Sequence, residues 1–446
     1  MKIPLLSTWY LYDLALLACA AVVPILVRWP AAGLAILVVG SQLVPLVIET
    51  GSQTDLNFPV VFLPLLVGFW LPEMLQGGNR RLLGSRPSRP LLAFVAVAIV
   101  AFASGNQRWL VFAFAVGNQP WFALAQTAPL RAQIGQLCIF AFSAAAFLLA
   151  VDRLRDLRWL QTLTWLFLGL GAVYLTGRLV TPLTRFTDLV FQRGADGSLF
   201  WTWLVSLAFC QAAFNRRLHV VLRLALVGLT CAALYVGLVQ ARDWLSGWLP
   251  PVIAIVAVLW AGAPRLGLAT TLVGAVAMAL KAHHVVALVM SPDNQYSLTT
   301  RVAAWRVLGK IILANPLLGL GPANYYHDTA LLPILGWYVK FSSHNNYVDI
   351  VAQTGLVGLA CFLWFMWDVG RVGWRLRGRA PAGFAQAYVY GALGGLAGTL
   401  AAAMLCDWFL PFVYNVGLPG FRASVLGWIF LGGLVALQPE PHGTDA

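Results

Sequence analysis

Apolar runs long enough to cross a bilayer recur along nearly the whole chain, and no other feature constrains its fold so tightly. "LLAFVAVAIVAFASG" (91–105) and "GLVGLACFLWFMW" (355–367) are typical. A run of about 18 or more apolar residues is long enough to span the hydrocarbon core as a helix. Lipid offers the backbone no hydrogen-bond partner, so such runs fold as helices unless they close a barrel. The alternation of a membrane barrel is absent. Composition agrees: 60% of the 446 residues are hydrophobic and 10% are charged, against about 25% charged in soluble domains. The expected fold is all-α, a polytopic membrane protein of about 12–14 transmembrane helices, forming a single integral membrane domain over 1–446.

Helices are expected near 9–27, 31–48, 58–75, 91–116, 134–151, 159–176, 199–214, 220–239, 247–262, 266–288, 347–367, 382–405 and 421–437. The first lacks a small-residue cleavage site and reads as a retained helix. The six cysteines (Cys19, Cys138, Cys210, Cys231, Cys361, Cys406) show no C-x-x-C spacing and read as small core residues. The net charge of +13 gathers in four arginine-rich connections, 79–90, 152–158, 215–223 and 370–379. The positive-inside rule makes these cytoplasmic and explains the charge through membrane lipids, without nucleic acid. From Asp152 onward the parity closes, with 177–198, 240–246, 281–346 and 406–420 on the outer face and the C-terminus inside. Three earlier spans put the N-terminus outside, unless a segment is re-entrant or split, for example at "SGNQR" (104–108).

The one long outer segment, about 281–346, contains an amphipathic helix. Val302, Trp305, Leu308 and Ile312 can share one face, with Arg301, Arg306 and Lys310 elsewhere. "NPLLGLGPAN" then ends it, through its Pro and Gly. The outer segments carry arginines where few belong: Arg178, Arg185, Arg193, Arg242 and Arg301, with Lys281 nearby. Singly, each can snorkel or pair with a nearby Asp, and Arg178 and Arg185 fit that account. Arg193, Arg242 and Arg301 lie at the outer ends of different spans. Their guanidinium forks, if brought together, suit a lipid pyrophosphate.

"SSHNN" (342–346) opens a hydrophobic helix. Two readings stay open. Ser and Asn can cap the helix with His344 a bystander, or His344 is a general base taking a proton from an acceptor hydroxyl. No metal site is expected: His283–His284 are adjacent, His327 is isolated, and no acid cluster has ligand spacing. There is no P-loop, and no G-x-G-x-x-G after a strand. No cofactor is expected.

The region "RVAAWRVLGKIILANPLLGLGPANYY" followed by "SSHNNYVDIVAQTGLVGL" resembles the signature of the O-antigen ligase and O-antigen polymerase superfamily. The matching residues are Arg301 and Trp305; Asn315, Pro316, Gly319, Gly321 and Asn324; Ser343, His344, Asn345 and Tyr347; Gly355 and Gly358. Upstream, "QARDWLSGW" resembles the family's Ser-Arg-Gly-x-Trp-like element through Arg242, but with Ala-Arg-Asp in place of Ser-Arg-Gly. "FQRGADGSLFWTW" is a weaker match through Arg193. The first 150 residues share only hydropathy.

The resemblance implies a GT-C-like integral glycosyltransferase of the bacterial inner membrane, multi-pass, metal-independent, with its active site facing the periplasm. The donor would be a glycan on undecaprenyl pyrophosphate and the acceptor lipid A-core. His344, Arg301 and Arg242 would be catalytic, with Arg193, Asn345, Tyr347 and Asn324 at the substrates. A polymerase or a protein O-oligosaccharyltransferase shares this chemistry; the compact outer segment favours a ligase. A transporter of lipid-linked glycans would also use arginines in a cavity. It would call for inverted repeats or helices broken at mid-membrane, and no such symmetry is visible in the sequence.

Overall fold

The structure, a computed structural model, describes residues 23–50, 54–76, 86–107, 124, 126–283, 286 and 292–439. α1 (Ala32–Leu43) leads into a small antiparallel hairpin, β1 (Val47–Ile48) with β2 (Leu56–Asn57). Then come α2 (Phe58–Gln76), α3 (Ser88–Gly105), α4 (Leu130–Arg153), α5 (Leu157–Leu179), the short α6 (Thr181–Val190) and α7 (Ser198–Phe214). α8 (Val220–Tyr235) is prolonged by a π turn to Gln240 and followed by α9 (Leu245–Gly262), α10 (Pro264–Leu280), α11 (Pro292–Ile312) and α12 (Tyr325–Asp328). α13 (Asn346–Leu376), α14 (Phe384–Leu405) and α15 (Gly417–Ala436) complete the chain. Among the described residues, nine helices are long and apolar enough to cross a membrane, and α1, α7 and α10 are shorter apolar helices. The protein is thus an all-α polytopic membrane protein. The expected helix at 9–27 lies almost wholly outside the described residues.

α15 is the central post, buried over 94% of its apolar window. In lipid, helices associate by close packing, which favours small residues at contacts. α14 follows this rule: Gly391 lies against Cys210, Gly395 against Trp203, and Gly394 and Gly398 against α9. Arg422, in α15, is 2% exposed. Its guanidinium donates to Ser41 O at 2.9 Å and Leu46 O at 3.1 Å, satisfying carbonyls at the C-terminal end of α1, where the helix dipole favours a cation.

α13 is two helices joined at Gly355, whose φ of 68° and ψ of −173° are open essentially to glycine alone. The turn 316–321 fills the break. Leu356 N–H donates to Pro316 O, Val357 N–H to Leu317 O, Leu320 N–H to Ala352 O and Gly321 N–H to Gln353 O. A Cβ on Gly355 would stand 2.0 Å from Leu317 O. The Asn-Pro-x-x-Gly-x-Gly segment is therefore a plug for an interrupted helix. The break lies in the first third of α13, not at its middle.

Three expectations change. The helix expected over 91–116 ends at Gly105, where close packing on Leu320 leaves no room for a side chain; 108–116 lie outside the described residues. The helix expected over 266–288 has its regular part at Pro264–Leu280, and 284, 285, 287 and 288 lie outside the described residues. On α11 the buried face is Ala304, Val307, Leu308 and Ile311, while Val302, Trp305 and Ile312 are half-buried. That face turns because α11 packs on α13 and on residues 325–331.

Candidate functional site

The site is built where α11, the 325–345 segment, the start of α13 and the 405–416 loop meet. Trp305 lies one helical turn beyond Arg301, so both side chains leave the same face of α11. Trp305 Nε1 donates to Ser343 O at 2.8 Å. Ser343 is fixed from its other side too: its hydroxyl donates to Asp349 Oδ1 at 2.6 Å and accepts from Asn345 N–H at 2.9 Å. Asn345 caps α13, its side chain accepting from Tyr347 N–H at 2.9 Å and Val348 N–H at 3.3 Å. Asn346 binds the backbone of Phe409 and Leu410. Ser343, Asn345 and Asn346 thus cap and brace, and the His344 side chain takes no part in the cap.

His344 itself has φ +50°, a left-handed conformation unusual for a residue with a Cβ and concentrated at functional sites. Bonds to its neighbours hold it there. Its Nδ1 lies 3.1 Å from Asn415 Nδ2 and 3.7 Å from Cys406 Sγ. Burial holds the imidazole pKa below its ordinary 6.5; Asp407 pulls it up and Arg301 pushes it down. The ring is thereby kept neutral near pH 7, as a base requires. With the Asn415 amide donating to Nδ1, the ring proton sits on Nε2 and Nδ1 is the basic atom.

Asp407 is fully buried. Its Oδ2 accepts from Phe412 N–H at 2.7 Å and Val416 N–H at 3.3 Å. Its Oδ1 accepts from the Asn415 amide and from Cys406 Sγ. Burial, then the Asp407 charge, push the Cys406 thiol well up, so it is protonated. His344, Cys406 and Asp407 each offer a donor atom within 4.8 Å of the others. These are zinc-type ligands. As arranged, however, both Asp407 oxygens are already taken by N–H and S–H donors, and the Arg301 charge acts on both His344 and Cys406. The residues present fit a hydrogen-bonded proton site better than a cation site.

Arg301 is half-buried, and its Nη1 donates to Leu405 O. Among the described residues no carboxylate lies within ion-pair distance of it. Arg193 and Arg242 are placed differently. Both are exposed, and Arg242 Nε is 3.9 Å from Asp243 Oδ2. Their loops nevertheless converge at the same end of the bundle: Gly197 and Trp244 both pack on Trp408, the residue after Asp407. Arg178 pairs with Asp196 at 3.4 Å, the local pairing expected for it. Asn324 and Tyr347 are engaged inside the protein. Asn324 accepts from Ala128 N–H and donates to Leu320 O, both at 2.8 Å; Tyr347 Oη donates to Leu400 O at 2.9 Å.

Reading the sequence for arginines and histidines missed Asp407, Cys406 and Asn415. A signal for Asp407 existed, since it is the sole acidic residue from 369 to 439, and an ionisable group in so apolar a stretch points to function.

Residues 221–363 match the O-antigen ligase family (Wzy_C), which supports placing the chain in the O-antigen ligase superfamily. The match spans Arg242, Arg301, Trp305 and His344, and it supports a membrane glycosyltransferase of the O-antigen ligase or polymerase type. None of the curated proteins matches the chain.

Proposed function

We propose that the protein transfers a glycan from undecaprenyl pyrophosphate to a sugar hydroxyl of lipid A-core, at the periplasmic face of the bacterial inner membrane. The observation that carries this reading is His344: a half-buried imidazole in a left-handed turn, beside the buried Asp407 carboxylate and within the field of the Arg301 guanidinium. The sidedness follows from charge. Helix direction puts the arginine-rich connections at 152–158, 215–223 and 370–379 at the end opposite His344, and the positive-inside rule assigns that end to the cytoplasm.

In the reaction, the acceptor hydroxyl oxygen attacks the anomeric carbon of the donor. The bond from that carbon to the pyrophosphate oxygen breaks, and its electron pair leaves with the lipid pyrophosphate. The hydroxyl proton passes to His344 Nδ1 as the acceptor displaces the Asn415 amide, and Asp407 stabilises the imidazolium that forms. Arg301 meets the charge developing on the leaving group, a role in which a fixed cation contributes most in the transition state. Arg242 and Arg193, exposed at the same rim, suit initial capture of the diphosphate. One displacement inverts the anomeric configuration; a retained linkage in the product would exclude it.

The test uses purified protein in lipid with a lipid-pyrophosphate glycan and three acceptors: core lipid, free glycan and peptide. Transfer to core lipid, lost in His344→Ala with donor binding kept, is the expected result. Transfer only to glycan or peptide would assign the polymerase or protein-modifying alternative. A His344→Ala protein that still moves lipid-linked glycan across a bilayer would instead indicate a transporter.

A further inference from the structure

A polar cavity lies at the same end of the bundle as His344. Its volume is about 350 Å³, and its lining includes Thr54, Ala132, Tyr326, His327, Lys340 and Tyr414, within the range of small-ligand sites. The polar groups form a directed chain. Lys340 Nζ, which can only donate, lies 3.0 Å from His327 Nδ1, so that nitrogen accepts and the ring proton sits on Nε2. His327 Nε2 then donates to Tyr414 Oη at 3.2 Å. The Tyr414 hydroxyl proton is thereby turned away from His327. Burial, aided by Tyr326, pushes this phenol up to about 12, so it stays a donor across the physiological range. Tyr326 stacks on Tyr414 with centroids 4.3 Å apart, which locks both rings. Lys340 is exposed and keeps two further N–H donors. No carboxylate lines the cavity among the described residues.

Donors, one positive charge and the edges of a locked aromatic pair suit a polyhydroxylated ligand with a negative group. The position narrows its source. Tyr414 lines this cavity and the next residue, Asn415, bonds His344 Nδ1. A lining residue of the cavity and the amide partner of the base are thus consecutive on one loop, Tyr414 and Asn415. An acceptor presenting one hydroxyl at His344 must place its neighbouring sugar close by.

We propose that this cavity binds an anionic sugar, phosphorylated or carboxylated, of the acceptor saccharide. The proposal rests on the reading of His344 as the base that receives the acceptor proton.

The test separates the two. Saturation-transfer NMR is run on the full protein in phosphatidylcholine nanodiscs, with a hexose 6-phosphate and the unphosphorylated hexose as probes. The expected result is contact with the phosphorylated sugar at least about tenfold tighter than with the hexose, lost in Lys340→Gln, mostly kept in Lys340→Arg, and unchanged in His344→Ala. Equal binding of both sugars, or no effect of Lys340→Gln, overturns the proposal. So does loss of the signal when phosphatidylglycerol is added to the disc, which assigns the cavity to lipid headgroups. In the transfer assay, Lys340→Gln should raise the KM for a phosphorylated acceptor about tenfold and leave that for its dephosphorylated form and for the donor unchanged. A raised donor KM alone overturns the assignment to the acceptor. Lys340-dependent sugar binding in a protein that glycosylates no acceptor supports the cavity and counts against the transferase reading alone.

Discussion

His344 sits between two charges that move its proton affinity in opposite directions, so the site makes a signed prediction. A base must be unprotonated, and activity falls as pH drops through its pKa. Arg301 disfavours the imidazolium; in Arg301→Gln the pKa rises and the acidic limb of the residual kcat/KM moves to higher pH. Asp407 favours it; in Asp407→Asn the limb moves to lower pH. Shifts of the same sign in both variants would show that His344 is not the titrating base. Arg301→Ala should also lower kcat/KM by about 10²–10³, the loss typical of a removed transition-state donor, with Lys restoring part of it. Arg242→Ala should raise the donor KM and cost much less in kcat, since its side chain is 65% exposed at the rim. His344 and Arg301 stand out in the sequence because their residue types announce their chemistry. The family resemblance put Asn324 and Asn345 at the substrates, and residue type alone could not separate that use from a scaffold one, because an amide serves both equally well. Only the partners found for them, Ala128 N–H in one case and the first N–H groups of α13 in the other, tell the two uses apart.

The elements around the site explain why its motifs are spaced as they are. Arg301 and Trp305 are separated by one turn, so that the charge of the first acts on the imidazole while the second grips the carbonyl just before it. Loss of that grip in Trp305→Phe should cost about 1 kcal/mol of local stability and more in turnover, with donor affinity kept. The two halves of α13 meet at Gly355 because the 316–321 plug needs their unpaired backbone groups. Gly355→Ala places a methyl against Leu317 O and forces a conformation that side chains avoid. It should lower stability by at least about 2 kcal/mol, read as a lower Tm in detergent, and take the His344 site with it, since α13 begins at that site. Helix positions were legible from hydropathy because each span must bury or present about 20 apolar residues. The break was not, since one glycine within an apolar run reads the same whether it is helical or not. The buried face of α11 was misjudged for a related reason: periodicity shows that a face exists, and the neighbouring elements decide how far it turns.

At the scale of the whole molecule, chain direction and charge assign a sidedness that a labelling experiment can check. Successive helices from α4 onward alternate in direction, with α6, α11 and α12 remaining at the His344 end. This places Trp337, 72% exposed on the tight turn made by Leu335 and Gly336, at the end opposite the arginine-rich connection that holds Arg379. If the positive-inside rule governs this chain, a cysteine at Trp337 reacts with a membrane-impermeant maleimide in intact cells whose outer membrane has been opened. A cysteine at Arg379 reacts only after the inner membrane is permeabilised. Both substitutions replace exposed residues, so the fold should tolerate them, and a variant lacking the six native cysteines supplies the background. Labelling of Arg379→Cys in intact cells would put His344 on the cytoplasmic side, where the proposed periplasmic transfer could not occur. The order of reactivity therefore tests the direction of the whole bundle independently of any assay of glycan transfer.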